Sequence, residues 1–314
     1  MTKLFLVLTI LSIAGLGCDS GSTGMAGSGG MGGSGGLGGA GPKCTTPQEM
    51  LRCDKVVNIA HRGAKLVRPE HTFLAHDKAL EDGADILELD IRETIDGMLV
   101  VIHDGKVDRT TNCTGQVSQM TFADLRECDA GYNFSPDDGV TYPYRGMELV
   151  VPTLEEILQR YPNTAFVIEL KQEDPSIVDN FVAVVREEGA TDKITGSSEE
   201  QAVLDELRVA APEIATNLSL KEVLEFWGKA AEEFDPEYEP PGEFLQVPVE
   251  RGGIVVLHPG FVPRAHELGM YVQIFTINDE DEMRRLIEEE DVDGIMTDDP
   301  ALLSKVIDEL GVGD

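Results

Sequence analysis

Four short stretches of this chain carry side chains that can move protons or hold charge: His61-Arg62-Gly63, Glu88-Leu89-Asp90, His103-Asp104 and Glu169-Leu170-Lys171. Each lies at or just beyond an apolar, β-branched run. In a strand, residues i and i+2 face the same way, so Glu88 points with Asp90 and Glu169 with Lys171. Three carboxylates without a zinc-type Cys/His pattern are hard oxygen donors, suited to one divalent cation, Ca²⁺ or Mg²⁺. Strand-end salt bridges are the plainer reading, but inward acidic groups in apolar strands are costly unless paired or metal-bound. His61 and His103 titrate near neutrality and are a candidate general acid and base. Arg62 and Lys171 supply positive charge for a phosphate.

These residues need a scaffold that gathers strand ends. From Val56 onward, strand-like runs alternate with helix-like ones, the signature of βα units around a parallel sheet. The strand candidates are 56–60, 86–91, 98–103, 165–170, 193–196, 215–218, 254–257, 271–276 and 294–297. The second and third are too close for a parallel crossover, so Asp96-Gly97 is read as a two-residue hairpin turn. That register places His103 directly across from Asp90. With the return strand set aside, eight strands remain, and the expected fold is α/β, a (β/α)8 TIM barrel with an added β-hairpin after strand 2. The four chemical stretches then sit at C-terminal strand ends, where barrel enzymes keep their sites.

Helix signals agree. Thr153-Leu154-Glu155-Glu156 reads as a capping box stopped near Tyr161-Pro162, and residues 279–290 place Met283, Leu286 and Ile287 on one face. Residues 228–252, rich in Glu and Pro, read as a long inserted loop near the substrate side.

The chain has 314 residues and a formal charge of −33, from 25 Lys+Arg against 58 Asp+Glu, which argues against a broad nucleic-acid or anionic-membrane surface. The N-terminus, a Lys followed by an apolar run from Leu4 to Gly17, fits a secretory signal and is too short for a membrane span. It resembles a bacterial lipoprotein signal with Cys18 as the lipidated residue, although Gly15 stands where Leu is usual. The expected organisation is a signal peptide at 1–17, a lipid-anchor Cys and Gly-rich flexible linker at 18–43, and a folded domain at 44–314. The expected location is the bacterial envelope, with a secreted soluble protein as the alternative. Cys44, Cys53, Cys113 and Cys128 remain for disulfides; three pairings are open, and proximity favours 44–53 with 113–128.

At this point the motifs resemble the glycerophosphodiester phosphodiesterases. HRG (61–63), PEHT (69–72), ELD (88–90), TIDG (94–97), VVIHD (100–104) and RTTNCTG (109–115) are similar to that family's N-terminal signature in order and spacing. IELK (168–171), FTIN (275–278) and VDGIMTDDP (292–300) are similar to its later blocks. The resemblance implies a barrel phosphodiesterase that releases glycerol 3-phosphate and an alcohol from deacylated phospholipids with one divalent cation. It implies His61 and His103 as the acid–base pair and Glu88, Asp90 and Glu169 as metal ligands. Arg62 and Lys171 would hold the phosphate, Glu70 would sit near the metal or substrate hydroxyls, and Phe275 would line the pocket.

Three positions depart from the family's pattern: His71 stands for Asn, Phe275 for Trp, and Ser197-Ser198 for Ser-Phe. His76, His258 and His266 read as surface or structural, Trp227 as lining the site or packing, and Asp104 as supporting the hairpin. Two rivals are carried forward. One is a lysophospholipase D-like or cyclising activity on lysophospholipids, which an apolar rim on 228–252 would favour although that segment reads acidic. The other is a non-catalytic surface-binding protein, whose expected mark, loss of a histidine or ligand carboxylate, is absent. The headgroup, the choice of cation and the oligomeric state are left open by the sequence.

Overall fold

The structure, a computed structural model, describes residues 44–230 and 238–313. The expected signal peptide, Cys18 and the Gly-rich linker lie outside the described residues. The strands are β1 (Val57–Ala60), β2 (Ile86–Glu93), β3 (Leu99–Val101), β4 (Ala165–Leu170), β5 (Ile194–Ser197), β6 (Ala215–Thr216), β7 (Phe244–Val247), β8 (Glu250–Arg251), β9 (Ile254–Val255), β10 (Tyr271–Ile274) and β11 (Gly294–Thr297).

The parallel sheet runs β6-β5-β4-β2-β1-β11-β10-β7, and an isolated parallel bridge between Asn217 and Phe244 brings its two ends together. This is the (β/α)8 barrel, with β3 folded back antiparallel on β2 as the added hairpin. Helices between and after these strands bury their apolar faces on the barrel wall, as with Met283, Leu286 and Ile287 of Glu280–Glu288. Thr153 caps Leu154–Arg160 through the expected capping box, and the helix stops at Tyr161.

The disulfides pair Cys44 with Cys53 and Cys113 with Cys128. The first brackets helix Pro47–Leu51, whose Leu51 packs with Val57, Ile86, Ala165 and Phe244 at the strand starts. That end of the barrel is closed by apolar packing, leaving the opposite end for chemistry.

Two sequence expectations need correction. The segment 254–257 is not a barrel strand, and 228–252 is not simply a loop. The seventh barrel strand is β7, whose four residues are all buried, while Ile254 and Val255 form a short antiparallel hairpin with β8. Consecutive positive φ values at Gly252 (62°) and Gly253 (84°) make the tight turn that bends this β-branched run back on itself. At Gly242, an added Cβ would come within 2.7 Å of the Thr216 carbonyl oxygen, so glycine permits the approach that lets Glu243 N–H donate to it at 2.9 Å. The sequence signal for β7 was a short apolar run between Pro241-Gly242 and Pro248.

The second correction is the β2–β3 register. Ile91 pairs with Val101 and Glu93 with Leu99, so Asp90 lies opposite Ile102 rather than His103. The turn has three residues, not two: Thr94 N–H donates to the Met98 carbonyl, Met98 N–H donates to Thr94 Oγ1, and Gly97 takes φ 82°. One extra turn residue shifts the register by one position. The strand ends at Val101, and the bend after it turns His103 into the site.

Candidate active site

The parallel register places the charged groups. Asp90 of β2 is paired with Glu169 of β4, so their side chains emerge side by side at the C-terminal end of the barrel. Glu88 lies two residues earlier on the same face. One oxygen from each of Glu88, Asp90 and Glu169 lies within 4.8 Å of the others. Three hard donors so gathered fit one divalent cation of the Mg²⁺ or Ca²⁺ kind.

The electrostatics support that fit. Burial and the Asp90 charge push the Glu88 carboxyl well above the usual carboxylate range, and burial raises Glu169. Asp90, although buried, is held far below its ordinary value by a hydrogen bond from His71 and by the Lys171 and Arg62 charges. The Arg62 charge and backbone N–H offset only part of the cost of charge at Glu88, and a bound metal ion would offset more.

Lys171 Nζ lies 2.6 Å from Glu169 Oε2 and 3.2 Å from Asp90 Oδ1. Arg62, in the left-handed region at φ 56°, donates its backbone N–H to Glu88 Oε2 at 2.9 Å and sets Nε 3.1 Å from Asp90 Oδ2. A non-glycine residue held there is strained, and such strain collects at functional sites. His71, at the position that departs from the family pattern, is buried and brings Nε2 to 2.9 Å from Asp90 Oδ2.

Each site histidine has an aspartate on Nδ1. His61 follows β1, whose Ala60 is paired with Thr297 of β11, so Asp298 emerges beside it and its Oδ1 meets His61 Nδ1 at 2.6 Å. Asn278 donates to Asp298 Oδ2 at 3.0 Å and accepts the Asp298 backbone N–H at 2.8 Å, fixing that carboxylate. His103 Nδ1 lies 2.6 Å from Asp104 Oδ1. With Nδ1 engaged, Nε2 is the nitrogen left to exchange a proton. Burial lowers the pKa of both histidines, His61 and His103, below the usual imidazole value.

Glu70 stands behind these groups and does not line the main cavity. Arg109 binds both its oxygens at 2.7 and 2.8 Å, and Arg62 Nη1 approaches to 3.3 Å. Although burial opposes it, the Arg109 hydrogen bond, with the charges of His71, Arg109 and Arg62, holds the Glu70 carboxyl at about 2. Arg109 also donates to Asp104, so a chain of ion pairs runs from Arg62 through Glu70 and Arg109 to Asp104, which is hydrogen-bonded to His103.

Asp298, Arg109, Asn278 and Arg92 were not assigned site roles from sequence. Arg92 donates to the His103 carbonyl at 2.9 Å and the Lys171 carbonyl at 3.1 Å, tying two site loops together. The motifs FTIN, RTTNCTG and TDDP contain three of these residues, but most of their partners come from other motifs, brought together at the ends of neighbouring strands or loops.

His61, Arg62, Glu88, His103, Glu169 and Lys171 converge at one cavity of about 550 Å³. Phe275 and Trp227 also line it. Ser197 donates to Gln246, and Gln246 to Gln273, forming a buried polar ladder within the barrel. His76 is fully buried in helix Phe73–Glu81, and His266 pairs with Asp293.

Three gathered carboxylates, two histidines and fixed positive charges form a site suited to phosphate-ester hydrolysis. Residues 61–302 match the profile of the glycerophosphoryl diester phosphodiesterase family. The chain is 33% identical over 265 residues to a glycerophosphodiester phosphodiesterase of Bacillus subtilis, covering 82% of this chain and 88% of that protein. It is similar to the crystal structure of a glycerophosphodiester phosphodiesterase from Agrobacterium tumefaciens, with TM-score 0.64 and 31% identity, covering 80% of this chain and 99% of that one. A phosphodiesterase from Oleispira antarctica, solved in complex with the product sn-glycerol-3-phosphate, matches with TM-score 0.64 and 25% identity over 80% of this chain and 96% of that one.

Proposed function

Since the chain belongs to the glycerophosphoryl diester phosphodiesterase family, we propose that it hydrolyses glycerophosphodiesters to glycerol 3-phosphate and an alcohol by paired-histidine catalysis with one divalent cation. The observation that carries this reading is the convergence of His61 and His103, each with Nδ1 on an aspartate, at one cavity with the Glu88, Asp90 and Glu169 cluster. The product complex of the Oleispira relative supports the substrate class.

Glu88, Asp90 and Glu169 would hold Ca²⁺ or Mg²⁺, which supplies polarisation of the phosphate and of a neighbouring hydroxyl. Arg62 and Lys171 orient the phosphate and balance charge that builds on its oxygens. Glu70 acts from behind, holding Arg62 toward the phosphate while Arg109 links it to Asp104. Phe275 presents an aromatic wall to the substrate's carbon atoms.

In the first step, Nε2 of one histidine accepts the proton of the glycerol 2-hydroxyl as its oxygen bonds to phosphorus. Nε2 of the other gives a proton to the departing alcohol as its P–O bond breaks. The resulting cyclic phosphate is opened by water with the proton roles reversed, giving glycerol 3-phosphate. Asp298 and Asp104 keep each imidazole in the tautomer that this exchange needs.

Phosphorus NMR of glycerophosphocholine with the protein tests this. Glycerol 3-phosphate should form with Ca²⁺ or Mg²⁺, should stop with EDTA, and should fall by about 10²-fold or more in His61→Ala or His103→Ala. Full turnover in EDTA would remove the cation from the reading, and full activity of both variants would remove the histidines. We also infer from the N-terminal sequence that the protein is exported and held at a membrane by lipid on Cys18.

A further inference from the structure

The cavity has two unlike ends. The charged groups described above occupy one. The other is lined by Leu218, Val223, Leu224, Trp227, Val247 and Ile254, from β6 and β7 ends, helix Leu220–Ala230 and the β8–β9 hairpin. At about 550 Å³ the cavity is in the range that holds ligands of drug size, well beyond what a glycerol phosphate fills.

This apolar end is built into the fold. Trp227 Nε1 donates to the Val255 carbonyl at 3.2 Å, fastening the β8–β9 hairpin to helix Leu220–Ala230. Its rim is open: Leu224 is 56% exposed and Ile254 52%. Two large apolar side chains held exposed at the mouth of an apolar cavity are disfavoured in water and mark a surface that meets an apolar ligand. The charged residues lining this end, Arg251 and Glu199, are engaged with one another at 3.3 Å. The apolar lining comes mostly from residues flanking the segment that reads as acidic, helix Leu220–Ala230 before it and Ile254 after it, with Val247 the apolar strand residue that 228–252 itself contributes.

We propose that this enzyme acts in preference on glycerophosphodiesters that carry a long apolar chain, seated along Leu218, Val247, Trp227 and Val223 and leaving the cavity past Leu224 and Ile254. The proposal rests on the phosphodiesterase reading above and specifies its substrate class. Hydrolysis is unchanged in kind: the phosphorus–oxygen bond to the alcohol breaks, water supplies a hydroxyl to phosphorus and a proton to the alcohol. With the chain on the glycerol, the products are a chain-bearing glycerol phosphate and a free headgroup alcohol. With the chain on the alcohol, they are glycerol 3-phosphate and a chain-bearing alcohol.

The test compares kcat/KM of the full-length protein for glycerophosphocholine with two chain-length series, each kept below its micelle concentration. One is of lysophosphatidylcholines, the other of alkyl glycerophosphates. In one series, kcat/KM should climb about two- to four-fold per methylene, as burial of each predicts, and level off once the chain reaches the rim. Leu224→Glu and Ile254→Glu, at exposed positions that tolerate charge, should lower the ratio of chain-bearing to chain-free kcat/KM about ten-fold. The series that climbs identifies where the chain is attached. Turnover of glycerophosphocholine with two flat or falling series overturns the proposal and leaves the phosphodiesterase reading intact. A climb that neither variant alters overturns the assigned groove, and hydrolysis of none of the compounds overturns both readings.

Discussion

At the residue scale, each histidine works through a partner that sets its tautomer. Burial lowers the His61 pKa, while the Asp298 hydrogen bond and charge raise it. Asp298→Asn removes the raising influence and leaves the burial, so the limb of the pH–rate profile that belongs to His61 moves to lower pH. Loss of the tautomer lock should lower kcat by about 10²- to 10⁴-fold with little change in KM. A profile of kcat and kcat/KM against pH checks both; an unmoved limb with an unchanged kcat would make Asp298 a bystander. His61, His103 and the three carboxylates were legible from sequence because residue type and i, i+2 spacing are local facts. Asp298 was not, because it meets His61 only through the β1–β11 pairing of residues 237 positions apart.

At the element scale, the turn after β1 must place Arg62 and still pass close to helix Phe73–Glu81. Gly63 makes this possible at φ 83°, where an added Cβ would lie 2.7 Å from the Ala75 carbonyl carbon. Gly63→Ala combines a positive-φ penalty with a clash against helix backbone, and should cost about 2–4 kcal/mol of stability. Gly189, at φ 60° with nothing within 4 Å of the added atom, carries only the first penalty, and Gly189→Ala should cost about 1 kcal/mol. Urea unfolding of the two variants measures the difference; equal midpoints would show that the close approach relaxes freely. The same glycine logic decided the elements that sequence patterning misplaced. A paired glycine turn took Ile254-Val255 out of the barrel, and the turn at Gly97 moved the β3 register by one residue.

At the scale of the whole molecule, the barrel closes one end with apolar packing and collects charge at the other. Among the described residues, no helix is long and apolar enough to cross a membrane. The anchor proposed above is lipid on Cys18, and it is tested separately. Cys18→Ser should shift the phosphodiesterase activity from the membrane fraction to the soluble fraction, with kcat/KM of the recovered enzyme unchanged. Fractionation and assay of cells expressing each form checks this, and an unshifted distribution would remove Cys18 as the anchor. A domain held beside a lipid surface would meet chain-bearing phosphodiesters there, and its apolar rim would be in reach of them.

The sequence by itself determined the alternation of strands and helices and the charged residues at the strand ends. Each follows from spacing within a few residues or from chemistry that one side chain carries alone. Only the tertiary structure decided that Phe244–Val247 closes the barrel, that Asp298 and Arg109 serve the histidines, and that an apolar channel adjoins the charged site. These depend on which strand ends become neighbours when the sheet closes. Closure is set by backbone pairing across the whole barrel, for which a local pattern holds no register.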